Sequence, residues 1–320
     1  MNTNEVTTIP VYSPEATAAA LPFGALIEAL REAFGQNPKV PLRHHHHIPQ
    51  NDSTDATLLL MPAWQTNGGV LGVKIVTIYP GNAAKKLPGL HSTYLLCDGA
   101  TGQHLALLDG NQITVRRTVG VAALGASFLA RKNASKLLLV GAGRVGSMTP
   151  YAFKEVRPID EVRVWDIDKT NSERLAARLN DEGMKAVVVD DLEAAVRASD
   201  IVSCATLSTE PLIRFEWLSP GTHLDLIGSF TPAMREADNA CFSNGSVYID
   251  SPDALEESGD LIDPIKAGVF SPSAILGTLA ELCQGKAEAR RSDEQITVFK
   301  AVGTGLSDLA AGTLAYCMLK

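Results

Sequence analysis

The sequence predicts an α/β protein that combines a doubly wound parallel sheet in the middle of the chain with a mixed α+β domain. The first observation is that strand-like and helical runs alternate from residue 137 to residue 250, as they do when helices connect parallel strands. The second is that residues 43–108 contain short β-rich runs separated by Gly, Pro and Asp, without helices between them. The third is the length of 320 residues, which suggests two domains at about 100–200 residues each.

The leading part of the chain predicts one or two helices and a mixed sheet. Ser13 followed by Pro14 is typical of a helix N-terminus, and apolar residues recur at helical spacing through PEATAAALPFGALIEALREAF. The β-rich runs ATLLLMPAW, GGVLGVKIVTIYP and STYLLCDGATGQHLALLDG follow. Within the last of them, DGATGQ predicts a hairpin turn between Leu96 and Leu105.

The middle of the chain predicts the parallel sheet. We interpret TVRRTVGVAALGASFLARKNA as an amphipathic helix, after which helical segments separate the strands LLLV, EVRVWD, AVVVD, DIVSCAT, THLDLIGS and SVYID. The final segment, GLSDLAAGTLAYCML, predicts a helix that we expect to pack on the first domain. We therefore assign residues 1–115 and 305–320 to one domain and residues 116–304 to the other.

Composition and charge exclude several classes of protein. The formal net charge is −8, which gives no electrostatic reason to expect nucleic acid as a partner. The five cysteines are scattered and form no CxxC pair, which argues against a disulfide framework and a zinc site and favours free thiols in a reducing compartment. The sequence has no run of about 18 apolar residues and no evident signal peptide, so we expect a cytoplasmic protein without a membrane span.

The turn Gly141-Ala142-Gly143-Arg144-Val145-Gly146 matches G-x-G-x-x-G, follows the strand LLLV and opens a helical segment, which is the context that the dinucleotide motif requires. Gly141 permits the tight turn, Gly143 lets the backbone approach a pyrophosphate, and Gly146 lets helix and strand pack closely. Free N–H groups at the start of the helix would bind the phosphates. The central sheet is therefore predicted to be of the Rossmann type and to bind a dinucleotide.

An acidic residue follows the next strand at the distance that the motif predicts. Asp166 lies 20 residues after Gly146, where a carboxylate accepts hydrogen bonds from a ribose 2′-OH and repels a 2′-phosphate. The sequence thus favours NAD(H), and NADP(H) stays possible because Arg144 lies near enough to help bind a phosphate. Asp168 is either the functional acid or a helix cap.

The small residues that end the fourth strand of the sheet, Cys204, Ala205 and Thr206, are expected to contact the same cofactor.

Several segments together resemble the ornithine cyclodeaminase/mu-crystallin family. They are GVKIVTIYPGN, HSTYLLCDGATGQHLALLDG, ITVRRTVGVAALGA, KLLLVGAGRVG and VGTGLSDLAAG, and they occur in order over most of the chain. The resemblance implies a substrate-binding and dimerisation domain completed by the C-terminal helix, a homodimer, and hydride transfer between a nicotinamide and an amino-acid carbon or its imine. The residues before the dinucleotide turn would then hold a small imino or amino acid.

The resemblance also implies which cations bind the substrate carboxylate: Arg43, Lys74 and Arg117. Lys74 lies in an otherwise apolar strand, where a solvated lysine would be unusual. By resemblance Arg117 reaches the carboxylate and Thr118 reaches a cofactor phosphate, whereas Arg116 is expected to be a surface charge. Thr93 matches a position that borders the substrate or the nicotinamide.

The segment GSFTPAMRE departs from the family's cyclodeaminases, in which an aspartate serves as acid and base. Phe230 stands at that position, and a phenylalanine cannot carry protons. This departure favours a reductase of a cyclic 2-imino acid, either Δ1-pyrroline-2-carboxylate giving L-proline or its six-membered homologue giving L-pipecolate. The alternatives are an ornithine cyclodeaminase, an alanine or opine-type dehydrogenase, or a cofactor-bound binding protein of the mu-crystallin sort. Asp225 could replace the missing acid, but a buried strand position makes this the minor interpretation.

Three further features complete the predicted site. The run His44–His47 has no accompanying carboxylate or cysteine spacing and is not expected to bind a metal, although one of its histidines could line the pocket beside Arg43. Val302 and Gly303 are expected to approach the substrate. Asp308 either orients a group in the pocket or caps the last helix, and the cap is favoured.

Overall fold

A computed structural model describes residues 8–36, 40–51, 54–66 and 68–320. The helices are α1 Pro14–Ala19, α2 Phe23–Gly35, α3 Gly110–Leu129, α4 Thr149–Lys154, α5 Lys169–Asp181, α6 Leu192–Arg197, α7 Asn239–Asn244, α8 Ala254–Glu257, α9 Gly259–Lys266, α10 Leu279–Cys283 and α11 Gly305–Leu319. The strands are β1 His44–Ile48, β2 Ala56–Trp64, β3 Val70–Ile78, β4 Leu90–Asp98, β5 His104–Asp109, β6 Lys136–Val140, β7 Glu161–Trp165, β8 Ala186–Val188, β9 Ile201–Cys204, β10 His223–Leu226, β11 Ser246–Ile249, β12 Gly277–Thr278 and β13 Thr297–Lys300. Within the described ranges, every helix is too short or too polar to cross a bilayer.

The chain divides into two compact units. Unit 1 contains the described residues up to Ala29, those from 40 to Arg117, and Thr304–Lys320, while unit 2 contains Leu30–Gln36 and Thr118–Gly303. The predicted boundaries, after residues 115 and 304, differ from these by two residues and one residue. The sequence pattern gave no indication that the end of α2 belongs with the second unit.

Unit 1 is built on a five-stranded sheet in the order β1-β2-β3-β4-β5, in which every neighbouring pair is antiparallel. The predicted hairpin joins β4 to β5. Its turn is held by Asp98, whose Oδ1 accepts hydrogen bonds from the N–H groups of Ala100 and Thr101 at 3.0 and 2.7 Å. The connection between β3 and β4 is longer and contains a 3-10 turn over Pro80–Lys85, which the sequence interpretation did not predict.

The leading segment forms two helices, where the sequence predicted one or two. Ser13 caps α1 by accepting the N–H of Ala16, as predicted, but the helix stops before Pro22 because proline offers no N–H to continue the helical hydrogen bonds. Arg116 fixes the break: its guanidinium lies 5.2 Å from the centre of the Phe23 ring and donates to the carbonyl of Leu21 at 3.1 Å. The prediction that Arg116 is a surface charge was therefore wrong.

Helix α11 belongs to unit 1 and covers one face of its sheet. The ring of Tyr94, fully buried in β4, packs against Gly312 of α11 so closely that any side chain at Gly312 would overlap it. Gly72 of β3 likewise leaves no room beside the Tyr94 hydroxyl. Two glycines therefore let the helix lie close to the sheet, and residues 305–312 are buried.

Unit 2 contains an eight-stranded sheet in the order β12-β11-β13-β10-β9-β6-β7-β8, and its strands pair in parallel. The first strand, β6, lies between β9 and β7, so the strand order reverses at β6, as in a doubly wound fold. The sequence interpretation missed β13, which inserts between β10 and β11. Its four residues, TVFK, lie beyond the run of alternating strands and helices, residues 137–250, from which the other strands were predicted.

The helix that precedes the central sheet differs from its prediction. Helix α3 begins at Gly110, and residues 119–126 are all buried, so it is not amphipathic over its second half. Gly125 lies against the ring of Phe299, where an added methyl group would be 2.7 Å from a ring carbon. Small residues at this point of α3 bring the helix directly onto the sheet of unit 2.

Candidate active site

A buried ion cluster lies on the face of the unit 1 sheet that α11 covers. Lys74 points toward this face from β3, with 2% of its surface exposed, and its Nζ lies 2.7 Å from Oδ2 of Asp308. The other carboxylate oxygen of Asp308, Oδ1, accepts a hydrogen bond from Nε of Arg117 at 2.9 Å. One carboxylate from α11 thus bridges a lysine from β3 and an arginine from α3.

The role of Asp308 corrects the sequence interpretation that favoured a helix cap. The N-cap of α11 is Thr304, whose Oγ1 accepts the N–H of Leu306 at 3.2 Å. Asp308 is fully buried in the first turn of the helix and orients Lys74 and Arg117. The alternative interpretation, a residue that orients pocket groups, agrees with this geometry.

The electrostatics of the cluster make Lys74 an unusually acidic lysine. Burial lowers the pKa of Lys74 from 10.5 to about 8; Asp308 opposes this shift, and Arg117 and Arg43 add to it. Lys74 and Arg117 carry two positive charges against one negative charge, so the cluster has an excess of positive charge in a site screened from water. A small carboxylate would balance that excess, and a lysine with a pKa near 8 can donate a proton.

Thr93 is not brought to this cluster. In the β3–β4 ladder it pairs with Ile75, one residue beyond the Lys74–Tyr94 pair. Because successive side chains of a strand point to opposite faces, Thr93 lies on the outer face, where it is exposed. Its role as a pocket residue stays a prediction for which unit 1 alone offers no geometric support.

The glycine turn in unit 2 has the shape that a dinucleotide requires. Gly141 has φ +97°, and a methyl group there would be 2.8 Å from the carbonyl oxygen of Ala205. A side chain at Gly146 would overlap the carbonyl of Gly141, whereas Gly143 is exposed and has open space beside it. The first and last glycines are therefore needed for packing, and the middle one leaves the backbone open to a phosphate.

The helix after this turn starts later than predicted. A short 3-10 turn covers Gly146–Met148, and α4 begins only at Thr149. Two residues of the turn that were assigned to the cofactor site, Arg144 and Val145, are exposed and half-buried, respectively. The turn itself, more than a long helix, would have to supply the N–H groups that bind a pyrophosphate.

Asp166 and Asp168 have different roles. Asp166 accepts hydrogen bonds from the N–H groups of Ala142 at 2.7 Å and of Asp168 at 2.8 Å, which fixes its carboxylate beside the glycine turn. Asp168 caps α5 by accepting the N–H of Thr170 at 3.0 Å. Of the two interpretations given for Asp168, the structure supports the helix cap, and the role of Asp166 at a ribose stays a prediction.

At the end of β9, the backbone of Ala205 and the side chain of Thr206 lie near the glycine turn, while the thiol of Cys204 is buried. Cys204 is fully buried in the strand, and burial raises the pKa of its thiol well above the usual value. Ala205 and Thr206 follow it and lie against Gly141. The backbone N–H and the Oγ1 of Thr206 both donate to Glu236, a residue that the sequence interpretation did not single out.

The segment after β10 carries the residue that replaces the expected acid. Phe230 is 44% exposed, whereas Ser229 before it is buried and donates to the carbonyl of Met234 at 2.6 Å. Asp225 is fully buried within β10 and accepts a hydrogen bond from Ser203 at 2.6 Å. Burial raises the pKa of Asp225 to about 7, but its position inside the strand agrees with its minor place in the sequence interpretation.

A second buried carboxylate holds the turn before α11. Asp250, at the end of β11, accepts the N–H groups of Val302 at 3.2 Å and Gly303 at 2.7 Å. Gly303 has φ +81°, which favours glycine at this turn. The sequence predicted that Val302 and Gly303 approach the substrate, but it gave no sign of the carboxylate that fixes them.

The four-histidine run forms the edge strand β1. Its side chains are exposed, and the rings of His44 and His46 lie 6.4 Å apart at their centres. Across the described ranges, no three His, Cys, Asp or Glu side chains are grouped so that they could hold a metal ion. Arg43, directly before this strand, is half-buried and close enough to influence Lys74.

Comparisons with known proteins agree with the fold. The model of the ornithine cyclodeaminase/mu-crystallin family matches residues 14–319. An uncharacterised protein of Schizosaccharomyces pombe is 44% identical over 316 residues, which cover 95% of this chain and 96% of that protein.

Two solved structures are similar over nearly the whole chain. The Δ1-pyrroline-2-carboxylate reductase of Thermococcus litoralis, in complex with NADH and L-proline, has a TM-score of 0.90 and 31% identity and covers 97% of each chain. An archaeal alanine dehydrogenase dimer with bound NAD has a TM-score of 0.88 and 26% identity, covering 97% of this chain and 95% of the other. The chain belongs to the ornithine cyclodeaminase/mu-crystallin family.

Proposed function

We propose that this protein is an NAD(H)-dependent oxidoreductase that reduces the C=N bond of a cyclic 2-imino acid. The preferred substrate is Δ1-pyrroline-2-carboxylate, which gives L-proline, and the six-membered homologue giving L-pipecolate is a second substrate of the same kind. The observation that carries the proposal is the buried cluster of Lys74, Arg117 and Asp308. This cluster has an excess of positive charge, and the pKa of its lysine is lowered. A small anion that must gain a proton during reduction fits both properties.

Each residue of the cluster has a separate task. Arg117, with Arg43, binds the substrate carboxylate, since a planar guanidinium matches a carboxylate in geometry as well as charge. Asp308 holds Arg117 and Lys74 in place from a rigid helix. Lys74 gives its proton to the imine nitrogen as the neighbouring carbon receives a hydride, so that the C=N bond becomes CH–NH. A bound NADH supplies the hydride.

The residues of unit 2 fit NAD(H) better than NADP(H). The carboxylate of Asp166 is fixed beside the glycine turn by two backbone N–H groups. A fixed negative charge at the end of the second strand favours a ribose 2′-OH and opposes a 2′-phosphate. The solved relatives in complex with NADH and with NAD support the same cofactor.

The cyclodeaminase reaction is the weaker alternative for this chain. That reaction needs an acid and base near the substrate, and Phe230 occupies the position at which the family's cyclodeaminases carry an aspartate. Asp225 lies on the preceding strand but is fully buried and already bonded to Ser203. An apolar ring at position 230 suits a cyclic substrate and offers nothing to an ammonia-releasing step.

A substrate panel with both cofactors tests the proposal. NADH oxidation is followed with Δ1-pyrroline-2-carboxylate, Δ1-piperideine-2-carboxylate, pyruvate with ammonia, and ornithine, and each is repeated with NADPH. The proposal expects turnover of the cyclic imino acids, with NADH preferred. Ammonia release from ornithine without net cofactor consumption would establish the cyclodeaminase instead, and tight cofactor binding without any turnover would favour a binding protein.

We further propose that the protein is a homodimer joined through the outer face of the unit 1 sheet. Cross-strand pairing puts a set of apolar side chains on this face: Leu58, Leu60, Trp64, Leu71, Val73, Ile75 and Leu95. Trp64 and Ile75 are each 37% exposed, and contiguous apolar surface of this kind is typical of protein interfaces. The dimeric archaeal relative supports the proposal.

A further inference from the structure

The carboxylate of Glu236 connects two loops at the carboxyl edge of the unit 2 sheet. It is fully buried. Its Oε1 accepts the N–H of Thr206 at 2.7 Å and the Oγ1–H of the same residue at 2.9 Å. Its Oε2 accepts the N–H of Gly228 at 2.6 Å. One side chain therefore binds the first residues after β9 and after β10, which are neighbouring strands.

Glu236 is itself held in place from two sides. Its backbone N–H donates to Oδ1 of Asp260 at 2.8 Å, and its carbonyl accepts the N–H groups of Leu212 and Ile213, both at 2.9 Å. Asp260 is fully buried, and Lys300 lies 3.7 Å from its Oδ2. The carboxylate of Glu236 is thus a fixed acceptor, so the positions of Thr206 and Gly228 follow from it.

Both loops lead to residues that the proposed function uses. Thr206 lies against Gly141, whose added methyl group would be 2.9 Å from its Cγ2, so the position of Thr206 limits where the glycine turn can lie. Gly228 is two residues before Phe230, and a side chain at Gly228 would overlap both Glu236 and the carbonyl of Thr206. The contact between Thr206, after β9, and Gly141, after β6, lies where the strand order of the sheet reverses. Ligands of doubly wound sheets bind at such a point.

We propose that Glu236 is a positioning residue for the bound dinucleotide, acting through Thr206 and the glycine turn. This inference rests on the proposed function, because it requires a cofactor at the glycine turn. Three hydrogen-bond donors face the carboxylate, so only an acceptor at both oxygens satisfies them. A glutamine would turn an N–H donor toward one of these donors and displace one loop.

The test compares Glu236→Gln with a half-buried carboxylate at the opposite edge of the same sheet, which binds backbone N–H groups through one oxygen and pairs with Arg131 through the other. Asp200 precedes β9 and accepts the N–H groups of Ser135 and Lys136 at 2.9 and 3.0 Å. Asp200→Asn should therefore disturb the fold of unit 2 to a similar degree without reaching the glycine turn. For wild type and both variants, the Kd for NADH is measured by fluorescence, along with the melting temperature and the KM values for NADH and imino acid.

Glu236→Gln is expected to raise the Kd and the KM for NADH by about tenfold or more, the size that follows from losing a charge-assisted hydrogen bond. Asp200→Asn should lower the melting temperature comparably and leave the Kd for NADH unchanged. A folded Glu236→Gln protein with a Kd and a KM for NADH within about twofold of wild type would overturn the inference. So would an equal loss of NADH affinity in Asp200→Asn.

If Glu236→Gln does not fold, Thr206→Val decides the question, because it keeps the side-chain shape and removes the hydroxyl that donates to Glu236 and accepts the N–H of Ser208. It should raise the Kd for NADH by about threefold to tenfold, as expected for one such bond; an unchanged Kd would reject the inference. The Kd does not depend on turnover. A wild-type protein that binds NADH and reduces no imino acid would therefore refute the proposed function while leaving the role of Glu236 open to the same measurement.

Discussion

Lys74 shows how position alone can change the chemistry of a side chain. An exposed lysine keeps its proton far above neutral pH, but burial brings the pKa of Lys74 down to about 8. Asp308 prevents a larger fall by stabilising the charged form. The lysine is therefore protonated at neutral pH and still able to release its proton, which is what a general acid needs.

We predict that Lys74→Met lowers imino acid reduction by about 100-fold or more, the usual contribution of a general acid. The melting temperature at pH 7 should not fall, because Arg117 still pairs with Asp308 and the buried excess charge is removed. Steady-state kinetics and thermal denaturation check both statements. Lys132→Met, at an exposed lysine, is the control, and near-normal kinetics in Lys74→Met would exclude Lys74 from the site.

The pH dependence gives a second prediction. The pKa of Lys74 is lower in the folded protein than in the unfolded chain, so the folded state holds fewer protons between pH about 8 and 10.5. This group therefore makes stability rise with pH through that window, while the reduction rate falls as pH rises through about 8. Rate and stability moving in the same direction there would contradict the assignment.

Asp308→Asn should shift the activity profile. Since Asp308 raises the pKa of Lys74, its loss should move the alkaline fall in rate to a lower pH. It also leaves two buried cations without a counter-ion, which costs about 3–5 kcal/mol of unfolding free energy. Denaturant unfolding and a pH–rate profile measure the two effects, and a profile that stays in place would argue against coupling between these residues.

Some of these residues could be predicted from the sequence and others could not. A lysine within the apolar strand LGVKIVTIY and an acid 20 residues after the glycine turn are local signals. Lys74 and Asp166 could therefore be identified from the sequence. Asp308 was assigned to the wrong role because its partner Arg117 lies 191 residues away, and the first turn of a helix favours a cap by default. Glu236 was missed for the same reason: its partners are brought together only by the parallel pairing of β9 and β10.

At the scale of elements, the contact between α11 and the unit 1 sheet sets the position of the ion cluster. Gly312 lies one turn after Asp308 on the same helix and against the ring of Tyr94. The close approach of helix to sheet at this point holds Asp308 within reach of Lys74. The sequence predicted the helix and its return to the first domain, but only the packing explains why a glycine stands in its middle.

Gly312→Ala should destabilise the protein even though alanine is the better helix former. The gain in helix propensity is about 0.5–1 kcal/mol, whereas forcing a methyl group into the Tyr94 ring costs about 1–3 kcal/mol. We expect a net loss of stability together with reduced reductase activity, because α11 and Asp308 shift away from the sheet. Gly35→Ala, where the added methyl group meets nothing within 4 Å, should be neutral; equal effects of the two substitutions would contradict the packing argument.

Elements marked by the regular alternation of strands and helices or by a turn motif were predicted, and β13 was not. The alternation of strands and helices predicted the parallel sheet, and DGATGQ predicted the β4–β5 hairpin. Strand β13 lies beyond the run of alternating strands and helices that ends at residue 250. Helix α3 was predicted as amphipathic but is buried on all sides over residues 119–126.

At the scale of the whole molecule, the two units carry different parts of the proposed reaction. Unit 1 holds the cations and the acidic lysine, and unit 2 holds the glycine turn and Asp166. The sequence allowed this division to be proposed because the dinucleotide motif begins so late in the chain. The apolar outer face of the unit 1 sheet could not be predicted from the sequence, because only the strand pairing shows which apolar residues share it.

We predict that Ile75→Asp separates the proposed dimer. A charge in the middle of an apolar interface must lose its hydration on association, and that cost disfavours the dimer. Light scattering coupled to size-exclusion chromatography should report a dimer for wild type and a monomer for the variant. Val269→Asp, which alters an exposed apolar side chain of unit 2, should remain a dimer, and a monomeric wild-type protein would refute the proposal.

The most direct test of the account is the fate of a deuterium label carried on the nicotinamide of NADH. The protein is incubated with Δ1-pyrroline-2-carboxylate and NADH deuterated at C4 on either face, and the proline formed is examined by mass spectrometry and NMR. We predict L-proline with deuterium at C2 from one of the two labelled cofactors, and a large loss of this product in Lys74→Met. Unlabelled proline from both cofactors, or no proline while NADH is bound, would contradict the proposal that the protein transfers a hydride from NADH to the imine carbon.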